Sequence, residues 1–235
     1  MRELISDAEC VLFDFDGPVC RLFAVHTAES IARLLRELAA ELSLSALLSA
    51  DLRASPDPHS VLRGIAGQRP GPGVVERFEA ALTREEITAA ASARPTPYAA
   101  TLIAALSTRG RQVAIATNNS PLAAQHYLDR QQLSGYVGGR VHGRTADIAL
   151  LKPHPDSLHR ALASARTRPE RALMIGDSVS DLRAAEAAGV PFLGYADDGA
   201  GAEALRGAGA RHVVRSLEHV LTALITPTFG PDAPF

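Results

Sequence analysis

The amino-acid sequence predicts an α/β fold in which a parallel sheet is wound on both sides by helices and carries an inserted helical subdomain. Two observations predict the sheet: short apolar runs end abruptly in polar residues, and the segments between them have helical spacing. Runs that are apolar on both faces are typical of parallel strands covered by helices. A third observation predicts the insertion, because residues 18–94 contain no convincing strand.

Five apolar runs are predicted to be strands. In chain order they are residues 10–13, 112–116, 172–175, 190–195 and 212–214. The first three are the stronger predictions, because each leads into polar residues at its carboxyl end. Those residues are Asp14, Thr117 and, after Gly176, Asp177.

The segments between the strands are predicted to be helices. They are residues 121–133, 156–165, 181–188 and 217–224. The first begins well, with Ser120 as N-cap and Pro121 at the first helical position. Because strand and helix alternate, we expect a doubly wound sheet with right-handed crossovers.

The stretch 18–94 is predicted to be a helical subdomain inserted into the core, which comprises residues 1–17 and 95–235. Its predicted helices are 26–42, 44–52, 59–65 and 74–91, with a Gly/Pro loop at 67–73. Pro95 and Pro97 mark the hinge where the chain returns. The Pro-rich tail 226–235 is predicted to lie on the surface.

Composition and charge exclude several classes of function. The net charge of −2 gives no electrostatic reason to expect nucleic acid or an anionic membrane as a partner. No apolar stretch is long enough to span a membrane, and the first residues lack the apolar run of a signal peptide. Cys10 and Cys20 do not form a disulfide framework. We therefore expect a cytoplasmic protein without a membrane or nucleic-acid partner.

Four polar motifs are expected to meet at one edge of the sheet. Asp14, Thr117 and Asp177 each follow a predicted strand, and ligand sites of open parallel sheets lie beyond the carboxyl ends of the strands. Lys152 precedes a predicted helix. It is the single lysine beside 23 arginines, which indicates a position that needs a compact ammonium group rather than a planar guanidinium.

These residue types indicate phosphoryl-transfer chemistry. Crowded carboxylates need a divalent cation, and oxygen ligands on short loops suit Mg²⁺. A carboxylate can also act as a nucleophile, and a lysine beside it can neutralise both the nucleophile and a phosphate. A threonine hydroxyl and the N–H groups at a helix start can hold phosphate oxygens. Asp16 points to the same side of an extended chain as Asp14 and can act as a general acid and base.

The chain resembles the haloacid dehalogenase (HAD) superfamily, in its phosphoglycolate phosphatase-like subgroup with an inserted helical cap. The resemblance covers nearly the whole chain. The motifs that carry it are, in order, Asp14-Phe15-Asp16-Gly17, Thr117-Asn118, Lys152-Pro153 and Gly176-Asp177 with Asp181. It implies a Rossmann-like core and a Mg²⁺-dependent phosphatase that hydrolyses a small phosphorylated metabolite through an aspartyl-phosphate.

The resemblance also implies a role for each motif residue. Asp14 is expected to be the nucleophile and a Mg²⁺ ligand. Asp16 is expected to be the general acid and base, with its main-chain carbonyl on the metal. Asp177 is expected to bind Mg²⁺ directly.

The remaining motif residues are expected to support these three. Thr117 and Asn118 would bind the transferring phosphoryl group, and Lys152 would steady both nucleophile and phosphate. Asp181 would orient the groups around the metal, although its place at a helix start also suits a simple capping residue.

Other activities of the superfamily are less compatible with the sequence. Phosphonate-cleaving relatives use a cap lysine to form a Schiff base, and the predicted cap has no lysine. Dehalogenating relatives lack the second acid of the first motif, which is present here as Asp16. A sugar-phosphate mutase stays open, as does a non-catalytic binder that retains the fold. A phospho-receiver module is disfavoured, because receivers are much smaller and lack a long insertion. Arg21, Arg63 and Arg69 are the cap residues that are candidates for contacting substrate, and the alternative for each is an ordinary solvated charge.

Overall fold

The computed structural model describes residues 1–226, so the predicted tail lies, except for Thr226, outside the described residues. The strands are β1 (Cys10–Phe13), β2 (Cys20–Arg21), β3 (Arg94–Pro95), β4 (Gln112–Ala116), β5 (Val141–His142), β6 (Ala172–Gly176), β7 (Phe192–Tyr195) and β8 (Val213–Val214). Six of them form one parallel sheet in the order β5-β4-β1-β6-β7-β8. This confirms the predicted parallel α/β fold.

The α-helices of the described chain lie between and beside these strands. They are α1 (Arg2–Asp7), α2 (Ala28–Glu41), α3 (Ala50–Ala54), α4 (Pro58–Gly67), α5 (Val74–Ser92), α6 (Ala99–Thr108), α7 (Pro121–Arg130), α8 (Ser134–Val137), α9 (Asp156–Ala165), α10 (Val179–Ala188), α11 (Gly199–Gly207) and α12 (Leu217–Ile225). None of the helices within residues 1–226 is long and apolar enough to cross a membrane.

The central strand β1 is buried on both faces, because helices cover the sheet on each side. Val11 and Phe13 pack into one apolar cluster, and Cys10 and Leu12 pack into a second cluster on the opposite face. Successive side chains of a strand point to opposite faces, so a fully apolar run is what this position requires.

The register of β1 aligns three strand ends. Phe13 lies opposite Ile115 of β4 and Ile175 of β6. The residues that follow these three strands therefore emerge at the same edge of the sheet.

Helices α2 to α5 lie between β2 and β3 and pack around a separate apolar cluster, to which Ile148 and Leu151 from the loop before α9 also contribute. That cluster includes Ile31, Leu35, Leu62, Ile65, Phe78 and Leu82. The boundaries at residues 17/18 and 94/95 stay a prediction.

The short strand β2 was not predicted. It pairs antiparallel with β3, with Cys20 opposite Pro95, at the point where the chain leaves the core and returns. The expectation of no strand in residues 18–94 is therefore wrong at Cys20–Arg21 and at Arg94, the first residue of β3. A strand of two residues is too short to give an alternating pattern, and its partner lies far away in the sequence.

Candidate active site

The candidate site lies where β1, β4 and β6 end. Asp14 follows β1, and its main-chain N–H donates to the carbonyl of Ile175 on the neighbouring strand at 2.9 Å. Thr117 follows β4 and Asp177 follows β6. The sheet thus holds the backbone of the site, as predicted for the carboxyl edge of a parallel sheet.

The ammonium of Lys152 lies between two carboxylates in the interior. Its Nζ is 3.0 Å from Oδ1 of Asp14, pairs with Oδ1 of Asp181, and donates to the carbonyl of Ala116 at 3.0 Å. Only 1% of the lysine side chain is exposed. Three acceptors surround one nitrogen, which matches the three donors of an ammonium group.

Negative charge exceeds positive charge at this point. One carboxylate oxygen from each of Asp14, Asp177 and Asp181 lies within 4.8 Å of the others. Burial and the charge of Asp181 raise the pKa of Asp14 to about 6, although Lys152 opposes the shift. Burial, Asp181 and Asp14 likewise raise the pKa of Asp177 well above its ordinary value. A divalent cation among these oxygens would relieve the repulsion, so the donor set fits a hard metal ion.

Asp181 both caps a helix and faces the site. Ser178 accepts the N–H of Asp181, and Oδ2 of Asp181 accepts the N–H of Ser178 at 3.0 Å, which completes a capping box at the start of α10. Its other oxygen pairs with Lys152. The capping and orienting roles that the sequence left as alternatives are therefore compatible in one side chain.

Asp16 lines the same cavity as Asp14. Its Oδ1 accepts the N–H of Leu22 at 2.8 Å, which holds the carboxyl group near the hinge strand β2. Burial, opposed by the hydrogen bond from Leu22, raises the pKa of Asp16 to about 6. A carboxyl group with such a pKa can exchange a proton near neutral pH.

Thr117 and Asn118 begin the segment between β4 and α7, and both line the cavity. The Asn118 amide accepts the N–H of Lys152 at 2.7 Å and donates to the Lys152 carbonyl at 3.2 Å. The Thr117 hydroxyl donates to Oδ1 of Asn119 at 3.0 Å. Asn118 therefore fixes the main chain of the lysine, a contact that the sequence did not indicate.

The cavity that these residues share has a volume of about 560 Å³. Arg63 on α4 reaches it and donates to the carbonyl of Lys152 at 3.0 Å. The other two predicted cap arginines do not line this cavity. Arg21 pairs with Asp197 in the wall of a smaller neighbouring cavity, which Asp16 and Asp177 also line, and Arg69 lines a third cavity beside Val75.

Sequence reasoning missed a buried group next to the site, formed by His59, Glu86, Asn119 and Arg144. Glu86 is fully buried and accepts hydrogen bonds from the other three side chains. One signal was available. Glu86 falls at helical spacing from the buried Phe78 and Leu82, so it is a carboxylate on an apolar helix face.

Gly17 makes a close approach that another residue could not make. It has φ +102°, and a Cβ atom there would overlap the Asp177 carboxylate. We predict that Gly17→Ala lowers the free energy of unfolding. Gly209→Ala is the matched control, because Gly209 has φ +105° and open space around it. The loss at Gly17 should exceed the loss at Gly209 by about 1–3 kcal/mol, the usual cost of overpacking. Equal losses in urea denaturation would contradict the overlap with Asp177.

The comparison that decides the family concerns most of the chain. The sequence model described as haloacid dehalogenase-like hydrolase matches residues 8–189. The chain belongs to this family. The family predicted from the four motifs is thereby confirmed.

Curated relatives of this HAD-family chain include two phosphoglycolate phosphatases. The plasmid-borne enzyme of Cupriavidus necator is 37% identical over 127 residues, which are 53% of this chain and 53% of that protein. The enzyme of Rhodospirillum rubrum is 36% identical over 97 residues, which are 41% of this chain and 39% of that protein. The matched region therefore spans about half or less of these relatives.

Solved structures share the HAD fold over nearly the whole chain. A HAD family hydrolase of Deinococcus radiodurans, with bound phosphate and sodium, is 27% identical. The superposition covers 93% of this chain and 95% of that hydrolase, with a TM-score of 0.59. The superposition with CbbY of Rhodobacter sphaeroides, in complex with xylulose-(1,5)-bisphosphate, covers 92% of this chain and 99% of CbbY, with a TM-score of 0.67. Its identity is 22%, so it supports the fold alone.

Proposed function

We propose that this protein is a Mg²⁺-dependent phosphatase that hydrolyses a small phosphorylated metabolite through an aspartyl-phosphate. One observation carries the proposal. The Asp14 carboxylate opens into the same cavity as Thr117, Lys152 and Asp177, with the lysine ammonium 3.0 Å from the carboxylate. A nucleophile, a buried cation and an acidic cluster thus meet at one point. The phosphate bound to the Deinococcus hydrolase supports an anion of this kind as ligand.

In the proposed reaction, Asp14 is the nucleophile. One of its carboxylate oxygens attacks phosphorus, and the bond from phosphorus to the leaving oxygen breaks. Asp16 gives its proton to the departing oxygen. In the second half, Asp16 takes a proton from water as the water attacks the aspartyl-phosphate, which releases phosphate and restores Asp14. Lys152 stabilises the charge on Asp14 and on the phosphoryl oxygens throughout, while Thr117 and Asn118 hold those oxygens.

The metal would be held by Asp14, Asp177 and the main-chain carbonyl of Asp16. When bound, it would neutralise charge on the phosphoryl group. The crowding of Asp14, Asp177 and Asp181 supports this assignment, since their oxygens lie within 4.8 Å of one another. Asp181 would keep Lys152 and the Asp177 main chain in place, because its Oδ1 pairs with the Lys152 ammonium and its Oδ2 accepts the N–H of Asp177 at 3.2 Å.

A cavity of about 560 Å³ suits a metabolite rather than a polymer. The similarity to phosphoglycolate phosphatases makes phosphoglycolate the first compound to test. Arg63 lines the cavity and is the predicted specificity residue that the geometry favours over Arg21 and Arg69. Both free cysteines are buried, which supports a reducing compartment such as the cytoplasm.

A metabolite panel tests the proposal. Purified protein with Mg²⁺ should release phosphate from p-nitrophenyl phosphate and from at least one of phosphoglycolate, sugar phosphates and nucleotides. EDTA should remove the activity, and added Mg²⁺ should restore it. Absence of phosphate release across the panel would contradict a phosphatase. Transfer of phosphate between sugar hydroxyls without release would favour the mutase.

A further inference from the structure

Glu86 and Arg144 form an ion pair in the interior, between α5 and the loop that follows β5. Both side chains are 0% exposed, and the pair is bidentate, with Oε2 to Nη2 at 2.9 Å and Oε1 to Nη1 at 3.0 Å. Arg144 also contacts Glu79 and Thr83 on the same helix. Burying an ion pair stabilises a protein little compared with apolar packing. The pair therefore invites an explanation other than stability.

The pair holds the segment that follows Thr117. Arg144 donates from Nη1 to the Asn118 carbonyl at 3.0 Å and from its main chain to the Asn119 carbonyl at 2.9 Å. Glu86 accepts the Asn119 side-chain amide at 3.0 Å and the Ser120 main-chain N–H at 2.9 Å. Four hydrogen bonds from two residues, three of them made by side chains, thus fix three consecutive residues.

These contacts reach the proposed phosphate ligands through one further residue. Asn119 accepts the Thr117 hydroxyl and also donates its main-chain N–H to the same oxygen at 3.2 Å. Asn118 fixes the main chain of Lys152. Glu86 itself is buried and does not line the cavity, so its effect on phosphate is indirect, and segment 117–120 is the route that leads to the proposed phosphate ligands.

His59 connects the same carboxylate to the cavity wall. It lines the cavity, and its Nε2 is 3.0 Å from Oε1 of Glu86, while Nδ1 is 3.6 Å from Asp57. Burial alone would lower the pKa of His59, but the neighbouring Asp57 and Glu86 carboxylates outweigh it and raise the pKa to about 9. The imidazolium is therefore the form that faces both the cavity and Glu86 at neutral pH.

We propose that Glu86 is a positioning residue, which with Arg144 ties the inserted helices to the phosphate-binding segment and sets the affinity for phosphate without touching it. The inference rests on the proposed function, because it takes Thr117 and Asn118 to be phosphate ligands. Glu86 supplies the acceptor and Arg144 the donor that segment 118–120 needs in order to keep one conformation. His59 brings the cavity wall into the same network.

Glu86→Gln tests the proposal. A glutamine amide has one accepting oxygen and one donating nitrogen, so either Ser120 or Asn119 loses its acceptor and the segment loosens. We expect the dissociation constant of inorganic phosphate, measured by calorimetry with Mg²⁺, to rise about tenfold. The KM for p-nitrophenyl phosphate should rise in parallel, with a smaller change in kcat.

Arg144→Lys keeps the positive charge but loses the Asn118 contact, so it should also weaken phosphate binding. The double variant should bind phosphate no more weakly than whichever single variant binds it more weakly, because both changes act on one segment.

Glu79→Gln is the matched control. Glu79 lies on α5 like Glu86, and its Oε1 is 3.2 Å from Nη2 of Arg144. Glu79 is therefore linked to segment 118–120 through Arg144, without the direct hydrogen bonds that Glu86 makes. We expect its phosphate affinity to equal that of the wild type. The proposal is overturned if Glu86→Gln and Arg144→Lys, folded by circular dichroism, bind phosphate like Glu79→Gln, or if their effects multiply in the double variant. A wild type that binds phosphate but hydrolyses nothing would count against the proposed function and leave this test intact.

Discussion

Replacing Asp14 by asparagine should abolish phosphatase turnover. The amide has the same shape but lacks the nucleophilic oxygen, so we expect kcat to fall by about 1,000-fold or more, as when the nucleophile of a covalent mechanism is removed. The fold should survive. The pKa of Asp14 is raised from its ordinary value of 3.8 to about 6, so the folded state disfavours the ionised carboxylate. Ionisation of Asp14 therefore lowers the free energy of unfolding as pH rises from about 4 to above 6. At pH 7 the neutral asparagine should therefore unfold at a temperature no lower than the wild type.

Mass spectrometry can locate the intermediate. Wild-type protein quenched in acid during turnover should carry phosphate on the peptide that contains Asp14. Asp16→Asn is the informative companion, because p-nitrophenolate leaves without needing a proton whereas hydrolysis of the intermediate needs a base. That variant should accumulate the phosphorylated peptide while its kcat falls by about 10²–10⁴-fold. Unchanged turnover in Asp14→Asn, or phosphate on a different residue, would end the proposed mechanism.

Replacing Lys152 by methionine should destabilise the protein more than any other single change considered. Methionine fills the same space but leaves the Asp14 and Asp181 carboxylates buried without their cation. Loss of one partner from a buried pair costs about 3–5 kcal/mol. The loss should be largest at neutral pH and should shrink as pH falls, because protonation neutralises the Asp14 carboxylate, whose pKa is raised by burial to about 6. Urea denaturation at pH 5 and pH 7.5 measures the difference in free energy of unfolding between Lys152→Met and the wild type. The variant should also lose turnover.

Lys152→Arg distinguishes charge from shape. The guanidinium keeps the positive charge, but its planar donors cannot point at Asp14, Asp181 and the Ala116 carbonyl from one central atom. We expect this variant to recover part of the stability and little of the activity. Full activity in Lys152→Arg would show that charge alone suffices and would remove the reason for a lone lysine.

The parts of the fold that the sequence predicted are those that local pattern controls. Strands β1 and β4 were predicted with their observed bounds, because each is a run that is apolar throughout, except for Gln112 at the start of β4, and ends at a polar residue. Strand β5 was missed, since Val141 and His142 are too few to establish a period. Helix α6 was also missed. Its Ala-rich sequence is apolar around most of its circumference, so it gives little amphipathic contrast.

The candidate site likewise contains residues that local pattern predicted and residues that it did not. Asp14, Asp16, Thr117, Lys152 and Asp177 could be named from motifs because each follows a strand or precedes a helix. Glu86 gave one signal, a carboxylate on an apolar helix face, but its pairing with Arg144 could not be predicted, because the two meet through tertiary packing between α5 and a loop far along the chain. The roles of the three cap arginines depend on side-chain placement, and only the structure distinguishes Arg63 in the main cavity from Arg69 beside Val75.

The pairing of β2 with β3 has a consequence for how such proteins diversify. The two ends of the predicted insertion meet in the two-stranded sheet β2-β3, where Cys20 lies opposite Pro95. An insertion whose two ends adjoin can change in length or be exchanged for another without straining its host. Arg144 limits that freedom. A transplanted insertion would need to supply a carboxylate where Glu86 now sits, or leave a buried guanidinium without its counterion. Chimaeras that carry or lack this single acid would show how far grafting alone can produce new specificities.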